Sequence, residues 1–243
     1  MYTVEDFKNW LFIDIETVTI TDSLEDLPDV LGENALTHWA NKAKYERQNN
    51  IDLINSSDSE IYNDWGVVHP EFGKVIVISV GQVKWEDGVP VPKIRSIYGH
   101  TEKEVLEEFM TMMQKIFTAN FNAQIVGHNI KRFDLPYILK RCIVNGVSIP
   151  SKLQLQKLKP WETCLLDTTE IWKFGSHAGG ASLSLICDLL QIPTPKENMQ
   201  GNQVTSNYWK ENRLEDIKDY CEFDVIATMN LMLKFAQLPI IER

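Results

Sequence analysis

Two carboxylates, Asp14 and Glu16, stand two residues apart at the end of an apolar run, residues 10–13. Such a run is typical of a buried strand, and because side chains alternate across a strand, both acids must emerge on one face. Two negative charges held side by side commonly bind a cation. The pair could also be solvated or accept hydrogen bonds from a neighbouring loop, so further carboxylates are needed to favour a metal site.

Two more carboxylates occur in suitable contexts. Asp134 lies in GHNIKRFDLPYI, residues 127–138, at the predicted start of a helix with Pro136 in its first turn. Its alternative role is an N-cap. Near the end of the chain, Tyr220 and Asp224 are four residues apart and therefore share one face of a predicted helix. They could equally form a buried hydrogen-bonded pair.

The elements that must position these residues change type along the chain. Apolar runs predict strands at 10–17, 74–81, 94–98, 124–127 and 163–166. Helical periodicity predicts helices at 33–48, 101–117, 134–145, 183–190, 205–211 and 214–237. Three consecutive strands followed by strands alternating with helices favour an α/β fold. We expect a mixed five-stranded sheet, an antiparallel meander plus parallel strands, flanked by helices.

The composition limits the domain organisation and the location of the protein. With 243 residues and 44% hydrophobic content, the chain can bury one substantial core. We expect a single domain, 1–243, with a helical insertion at about 23–70, where a polar segment interrupts the sheet. No apolar stretch approaches the roughly 20 residues that span a bilayer, and a signal peptide is not recognisable. We therefore expect a cytoplasmic protein with no membrane partner.

The cysteines and the net charge restrict the possible ligands. The four cysteines are tens of residues apart without a CxxC pair, which argues against a zinc site and a disulfide framework. The formal net charge of −10 argues against an extended, sequence-independent grip on duplex DNA. Any interaction with nucleic acid should therefore be local and short.

Three segments together resemble a known family. FIDIET (12–17), GHNIKRFDLPYI and DYCEFDV (219–225) are similar, in order and separation, to the three motifs of the DEDD superfamily of 3′-to-5′ exonucleases. The chain resembles in particular the stand-alone predicted exonucleases related to the proofreading domain of family-B DNA polymerases. Tyr220, four residues before Asp224, is typical of the tyrosine subclass. Asp167 and the segments GASLSL (180–185) and GNQV (201–204) are similar to that group too.

The resemblance implies a ribonuclease H-like fold and phosphodiester hydrolysis with two cations per site, Mg²⁺ or Mn²⁺. It implies that Asp14 bridges both ions, that Glu16 and Asp224 complete the nucleophile-side site, and that Asp134 holds the second ion. Tyr220 would orient the attacking water. Since the ordinary pKa of tyrosine is about 10, we assign it positioning rather than full general-base work.

Three residues near the motifs are candidates for substrate binding. Thr17 could place a backbone amide or hydroxyl near the terminal nucleotide, and Asn129 could support the strand or cap the loop. Phe133 could stack on a base or belong to the core. Other residues have less specific expectations: phosphate binding or solvation for Lys131, Arg132, Lys140 and Arg141; structural or substrate-adjacent roles for His128 and His177; helix capping or support of the site from behind for Asp167; exposure for Asp219 and Glu222.

We therefore predict a metal-dependent 3′-to-5′ exonuclease that degrades single-stranded DNA to nucleoside 5′-monophosphates. The alternatives are a 3′-to-5′ exoribonuclease and a non-catalytic nucleic-acid-binding or polymerase-associated module. The expected partner is a single-stranded 3′ end, with DNA preferred and RNA allowed. A polymerase or another replication or repair protein is a candidate partner.

Overall fold

A five-stranded mixed sheet forms the centre of the computed structural model, which describes residues 2–159, 162–177, 179–193 and 203–242. Gly201 and Asn202 of the GNQV segment lie outside the described residues. The strand order is β3-β2-β1-β4-β5. The strands are β1 Trp10–Thr19, β2 Gly73–Glu86, β3 Val89–Tyr98, β4 Gln124–Gly127 and β5 Leu165–Asp167. The predicted α/β fold with a mixed five-stranded sheet is confirmed.

The first three strands form the expected meander. β1 pairs antiparallel with β2, and β2 pairs antiparallel with β3. β4 pairs parallel with β1, and β5 pairs parallel with β4. β2 and β3 are longer than predicted because they continue to a two-residue turn, Asp87-Gly88, in which both residues have positive φ.

Helices occupy both faces of the sheet. Those predicted from periodicity are α3 Ala35–Asn49, α5 Glu102–Ala119, α6 Asp134–Asn145, α8 Leu183–Leu190, α9 Val204–Trp209 and α10 Leu214–Phe235. The sequence did not predict α1 Val4–Phe7, α2 Leu27–Leu31, α4 Asp58–Trp65 and α7 Thr168–Lys173. These four helices have four to eight residues, and helices this short, like α8 and α9, give only a weak periodic pattern.

The alternation of β1 decides which helix layer faces the two acids. Leu11, Ile13 and Ile15 pack into a core with α5 and α6 on one face. Trp10 and Phe12 pack with α10 on the other. Asp14 and Glu16 have the same parity as Trp10 and Phe12, so their side chains lie on the α10 face.

Helices α2, α3 and α4 lie between β1 and β2 and have a hydrophobic cluster of their own. Trp39 is fully buried there and packs edge-on against Tyr62, with ring centroids 5.1 Å apart. The Tyr62 hydroxyl also lies 2.8 Å from Thr21 Oγ1, which links this cluster to the end of β1. A single domain with a helical insertion at about 23–70 stays a prediction.

A buried ion pair lies at the start of α5, where the helix has no side-chain N-cap. The backbone carbonyl of Thr101, not its side chain, accepts from Glu104 N. Glu102 turns inward and accepts from Arg141 Nε at 2.9 Å and Nη2 at 2.7 Å, and from Val75 N at 2.8 Å. The prediction that Arg141 binds phosphate or is solvated is therefore wrong, because Arg141 joins α6 to α5 and β2.

Candidate active site

Strand β1 carries Asp14 and Glu16 to the centre of the sheet. Asp14 lies opposite Ser79 and Glu16 opposite Val77 on β2, and the register shifts immediately after Glu16. A β-bulge of this kind bends the strand and changes the direction of neighbouring side chains. Both acids are half-buried on the face that α10 covers.

Close packing of α10 on β2 brings Asp224 to these acids. Gly81, opposite Phe12, lies under the helix. A Cβ added at Gly81 would lie 2.2 Å from Met229 Cε and 2.9 Å from Val225 Cγ1, so both side chains of the helix would have to move. Asp224, next to Val225, is consequently close enough to Asp14 and Glu16 to raise the pKa of both.

Asp134 approaches from the loop after β4. It is buried and is the first residue of α6, whose N-cap is Phe133, so the N-cap alternative for Asp134 is wrong. Its carboxylate accepts hydrogen bonds from its own backbone and from that of Ile15, between the two acids of β1. Gly127 permits the tight turn into this loop, because a Cβ there would lie 2.8 Å from Ile130.

Burial, together with neighbouring negative charge at Asp14, Glu16 and Asp134, disfavours ionisation of the four carboxyl groups. Burial, followed by the charges of Asp224 and Asp134, raises the pKa of Asp14 and of Glu16 well above the usual range. Burial raises the pKa of Asp134 to about 7 and that of Asp224 to about 6. The structure therefore brings together all four acids that the sequence singled out, in a setting that favours compensation by positive charge.

A cysteine that the sequence analysis did not assign to the site also reaches it. Cys221 Sγ donates to Asp14 Oδ2 at 3.4 Å, and the ligand atoms of Asp14, Glu16 and Cys221 all lie within 4.8 Å of one another. Burial raises the pKa of the Cys221 thiol well above its ordinary value. The thiol thus stays protonated at neutral pH and acts as a hydrogen-bond donor. The motif DYCEFDV pointed to Tyr220 and Asp224, and nothing in its sequence indicated the hydrogen bond between Cys221 and Asp14.

The phenol of Tyr220 lies beside Asp224, as their helical spacing predicts. It donates a hydrogen bond to the Asp224 carboxylate, which lowers the pKa of Asp224 against the effect of burial. Burial and the charges of Asp224 and Glu16 raise the pKa of Tyr220 above its ordinary value. Tyr220 therefore keeps its proton at neutral pH, which suits positioning by a hydrogen bond.

Asp167 holds the loop that leads to Asp134. Its Oδ1 accepts from Asn129 N at 3.0 Å and its Oδ2 from Lys131 N at 3.1 Å. Oδ1 also accepts from Thr169 N at 2.9 Å and so caps α7. The hydrogen bond to Thr169 N agrees with the expected helix capping, and the bonds to Asn129 N and Lys131 N agree with the expected support of the site from behind.

The three predicted substrate-binding residues belong to the segments that carry Asp14, Glu16 and Asp134. Thr17 is buried and its Oγ1 donates to Val67 O at 3.0 Å, so its hydroxyl is engaged within the protein. Asn129 adopts a positive φ of 62° at the start of the loop. Phe133 is partly buried against the core, 5.5 Å from the Tyr137 ring. A substrate role for these residues stays a prediction.

His128 and Glu222 both form hydrogen bonds within the protein. His128 is structural, since its ring nitrogens bond to Thr168 Oγ1 at 2.9 Å and Ala181 O at 3.0 Å. The expected exposure of Glu222 is wrong, because Glu222 is half-buried and accepts from Ser96 Oγ at 2.7 Å. The other residues lie at the surface or in ion pairs: Lys131 with Glu170, Lys140 with Glu71, Asp219 with Lys218, and Arg132 and His177 exposed.

Comparison with known proteins identifies the family. Residues 67–239 match the family described as "Predicted 3'-5' exonuclease related to the exonuclease domain of PolB". The chain belongs to this family of exonucleases, as the sequence motifs predict. The matched region includes Asp134, Tyr220 and Asp224 and begins after Asp14 and Glu16.

The fold is also similar to a solved structure. The family B DNA polymerase from the hyperthermophilic archaeon Pyrobaculum calidifontis matches 94% of this chain with a TM-score of 0.55 and 15% identity. The chain spans 24% of that polymerase's length. This likeness confirms the predicted ribonuclease H-like fold. A search of curated proteins finds no match.

Among the residues that the structure describes, no helix is both long and apolar enough to cross a bilayer.

Proposed function

We propose that this exonuclease is metal-dependent and degrades single-stranded DNA from its 3′ end to nucleoside 5′-monophosphates. One observation carries the proposal: Asp14, Glu16, Asp134 and Asp224, from three distant segments, interact electrostatically in a single half-buried site. Such a cluster of negative charges destabilises the fold unless the charge is compensated, and a positively charged ligand would compensate it.

The donor chemistry fits two hard divalent cations. Carboxylate oxygens are the ligands that Mg²⁺ and Mn²⁺ prefer, and all four acids supply them. Asp14, Glu16 and Asp224 would hold one ion, with Asp14 shared, and Asp134 would contribute to the second. Bound cations would lower the pKa of a water molecule and compensate charge on the leaving oxygen.

The remaining residues of the site would position the reactants. Tyr220, protonated and hydrogen-bonded to Asp224, would orient the attacking water. The Cys221 thiol would fix the Asp14 carboxylate through its hydrogen bond. Phe133 and the backbone near Thr17 and Asn129 would bind the terminal nucleotides.

The proposal is tested by digestion of a 5′-labelled single-stranded DNA oligonucleotide with Mg²⁺ or Mn²⁺. We expect a descending ladder of products that retain the label, because cleavage begins at the 3′ end. EDTA and the Asp14→Ala variant should both abolish the ladder, and an RNA of the same sequence determines the sugar preference. A matched control is Asp219→Ala, which removes an exposed acid from the same helix.

Three results would contradict parts of this proposal. Cleavage that persists in EDTA would refute metal dependence, and products that lose the 5′ label first would refute the polarity. A folded protein that binds Mn²⁺ without degrading either polymer would favour a binding module. A polymerase or another replication or repair protein is proposed as a partner, and it would be sought by testing whether its addition stimulates the digestion.

A further inference from the structure

An aromatic side chain stands almost fully in solvent at the end of α7. Phe174 is 86% exposed and has a φ of +47°. Phe174 is the C-cap of α7 and ends the helix in the left-handed conformation, a position that glycine usually occupies and where a bulky residue is uncommon. Large aromatic residues gain stability mainly from burial, so this conformation presents the ring at a cost to the fold.

Phe174 lines one cavity together with Tyr2, Trp172 and Phe235. Its neighbours in the chain, Lys173 and Gly175, line a second, positively charged pocket, and Glu170 lines both. The volume of this second pocket is about 270 Å³, and it is lined by Arg132, Lys173 and His177, together with Glu170, Gly175 and Ser176. The Glu170 carboxylate is paired with Lys131 Nζ at 2.6 Å. Within the described ranges, neither Arg132 nor Lys173 makes an ion pair, so two cations remain available in a chain with a net charge of −10.

The pocket is fixed to the candidate active site by one residue. Asp167 bonds to the loop that carries Arg132 and Asp134, and it caps the helix that carries Lys173. Arg132 is separated from Asp134 by a single residue, a backbone span of at most about 7 Å. The charge of Asp167 also acts directly on Asp134. The pocket and the four acids therefore keep a defined relative position.

We propose that Arg132, Lys173 and Phe174 form a subsite for the DNA strand on the 5′ side of the scissile phosphate. The two cations would bind a phosphate, and the Phe174 ring would stack on a base. Phosphate binding and aromatic stacking are sequence-tolerant, as an enzyme that degrades any strand requires. This subsite deepens the proposed function and rests on it for the identity of the ligand.

The test measures binding separately from cleavage. Fluorescence anisotropy of a 5′-labelled oligothymidylate is followed in EDTA, where the proposed reaction does not proceed. We expect Phe174→Ala to weaken binding at least about five-fold, the effect of removing one stacked base. We expect Arg132→Gln with Lys173→Gln to reduce the slope of log affinity against log salt by about 0.7 for each phosphate that the variant no longer neutralises.

Matched variants separate a local subsite from a general effect. Phe121→Ala removes another aromatic side chain, 78% exposed. Lys44→Gln with Lys103→Gln removes two exposed positive charges elsewhere. Both controls should bind as the wild type does. In cleavage assays, the pocket variants should raise KM for a long strand by a larger factor than for a dinucleotide, because a long strand extends further on the 5′ side of the scissile phosphate.

The outcomes distinguish this inference from the proposed function. Wild-type-like binding, salt slope and KM in the pocket variants would overturn the subsite, even if the enzyme degrades DNA. Losses of equal size in the control variants would overturn it as well. Binding that depends on the pocket without any cleavage would keep the subsite and refute the nuclease. If the wild type shows neither binding nor a length-dependent KM, the subsite is refuted.

Discussion

Asp134 and Asp224 make the stability of the metal-free protein depend on pH in an unusual direction. Their pKa values in the folded state, about 7 and about 6, lie above the ordinary carboxyl value in the unfolded chain. The resulting stabilisation is complete below about pH 4 and disappears as pH rises through these folded-state values. We expect Tm in EDTA to fall by several degrees between about pH 5 and pH 8.

Scanning calorimetry across this pH range checks the prediction. The control is Asp134→Asn, which removes one of the shifted titrations and should flatten the decline. A metal-free Tm that is constant or rises over this interval would contradict it, and so would an Asp134→Asn variant with an unchanged slope.

The thiol of Cys221 provides a second prediction. Because it donates to Asp14, Cys221→Ala leaves this carboxylate without its donor, whereas Cys221→Ser keeps a hydroxyl in place. Removal of such a supporting hydrogen bond commonly reduces metal affinity about 10- to 100-fold. We expect the Mn²⁺ concentration for half-maximal cleavage to rise by that factor in the alanine variant. The serine variant should remain near the wild type.

Equal losses in the two Cys221 variants would indicate a packing role instead. The Mn²⁺-induced change in Tm gives a second readout that does not depend on turnover. Both variants should remain folded, since each fits within the volume of the cysteine.

The sequence singled out the four acids that lie together in the candidate site, but not all of the residues that support them. Asp14, Glu16, Asp134 and Asp224 could be selected because each motif fixes its own local element. The hydrogen bond of Cys221 to Asp14 depends on the register of α10 over β1, 207 residues away along the chain. The ion pair of Glu102 with Arg141 likewise depends on how two distant helices, α5 and α6, pack together. Partners that depend on packing between distant elements leave no local pattern to read.

At the scale of elements, the packing of α10 on β2 determines how closely Asp224 approaches Asp14. A methyl group at Gly81 would overlap Met229 Cε and Val225 Cγ1, and the stiff, β-branched Val225 could make room only by a shift of α10. Overpacking of this kind costs about 1–3 kcal/mol. We expect Gly81→Ala to lower Tm by roughly 2–10 °C and to reduce cleavage further, because the shift separates Asp224 from Asp14.

Gly99→Ala is the matched control for this variant. A Cβ at Gly99 meets only Val105 Cγ2, at 3.7 Å, an ordinary van der Waals distance. Thermal unfolding and initial cleavage rates are compared for both variants. If Gly81→Ala matches Gly99→Ala in both measurements, the close approach of α10 does not control the site.

The buried pair of Glu102 and Arg141 connects α5, α6 and β2. Removing one partner of such a pair leaves an uncompensated buried charge, at a cost of about 3–5 kcal/mol. We expect Arg141→Met to lower Tm by about 10 °C. Calorimetry of Lys140→Met, which removes an exposed ion pair with Glu71 from the same helix, provides the comparison. Similar Tm values for the two variants would refute this structural role of Arg141.

Element type was predictable where a pattern was long. The amphipathic periods of α5 and α10 and the apolar runs of β1 and β2 predict those elements from local sequence. Two kinds of feature were missed: the four short helices and the full length of the β2–β3 hairpin. Their extent is decided by neighbours, since α7 is capped by Asp167 and β3 is ordered by pairing with β2.

At the scale of the whole molecule, the candidate site connects both layers of helices. Asp14 and Glu16 lie on the α10 face with Asp224, whereas Asp134 comes from α6, which packs on the opposite face. A ligand held by all four acids would therefore tie the two layers to the central strand. Stabilisation by that ligand should extend over the whole fold rather than one loop.

We accordingly expect saturating Mn²⁺ to raise Tm of the complete chain in one cooperative transition. A ligand at 100 times its Kd contributes about 2.7 kcal/mol, which corresponds to about 5–10 °C for a domain of this size. The increase should be larger at pH 8 than at pH 5, because protons no longer compete for the raised carboxyl groups. Hydrogen exchange should slow in both α10 and the first turn of α6. Asp224→Asn should abolish most of the shift, and an undiminished shift in this variant would place the stabilising ion elsewhere.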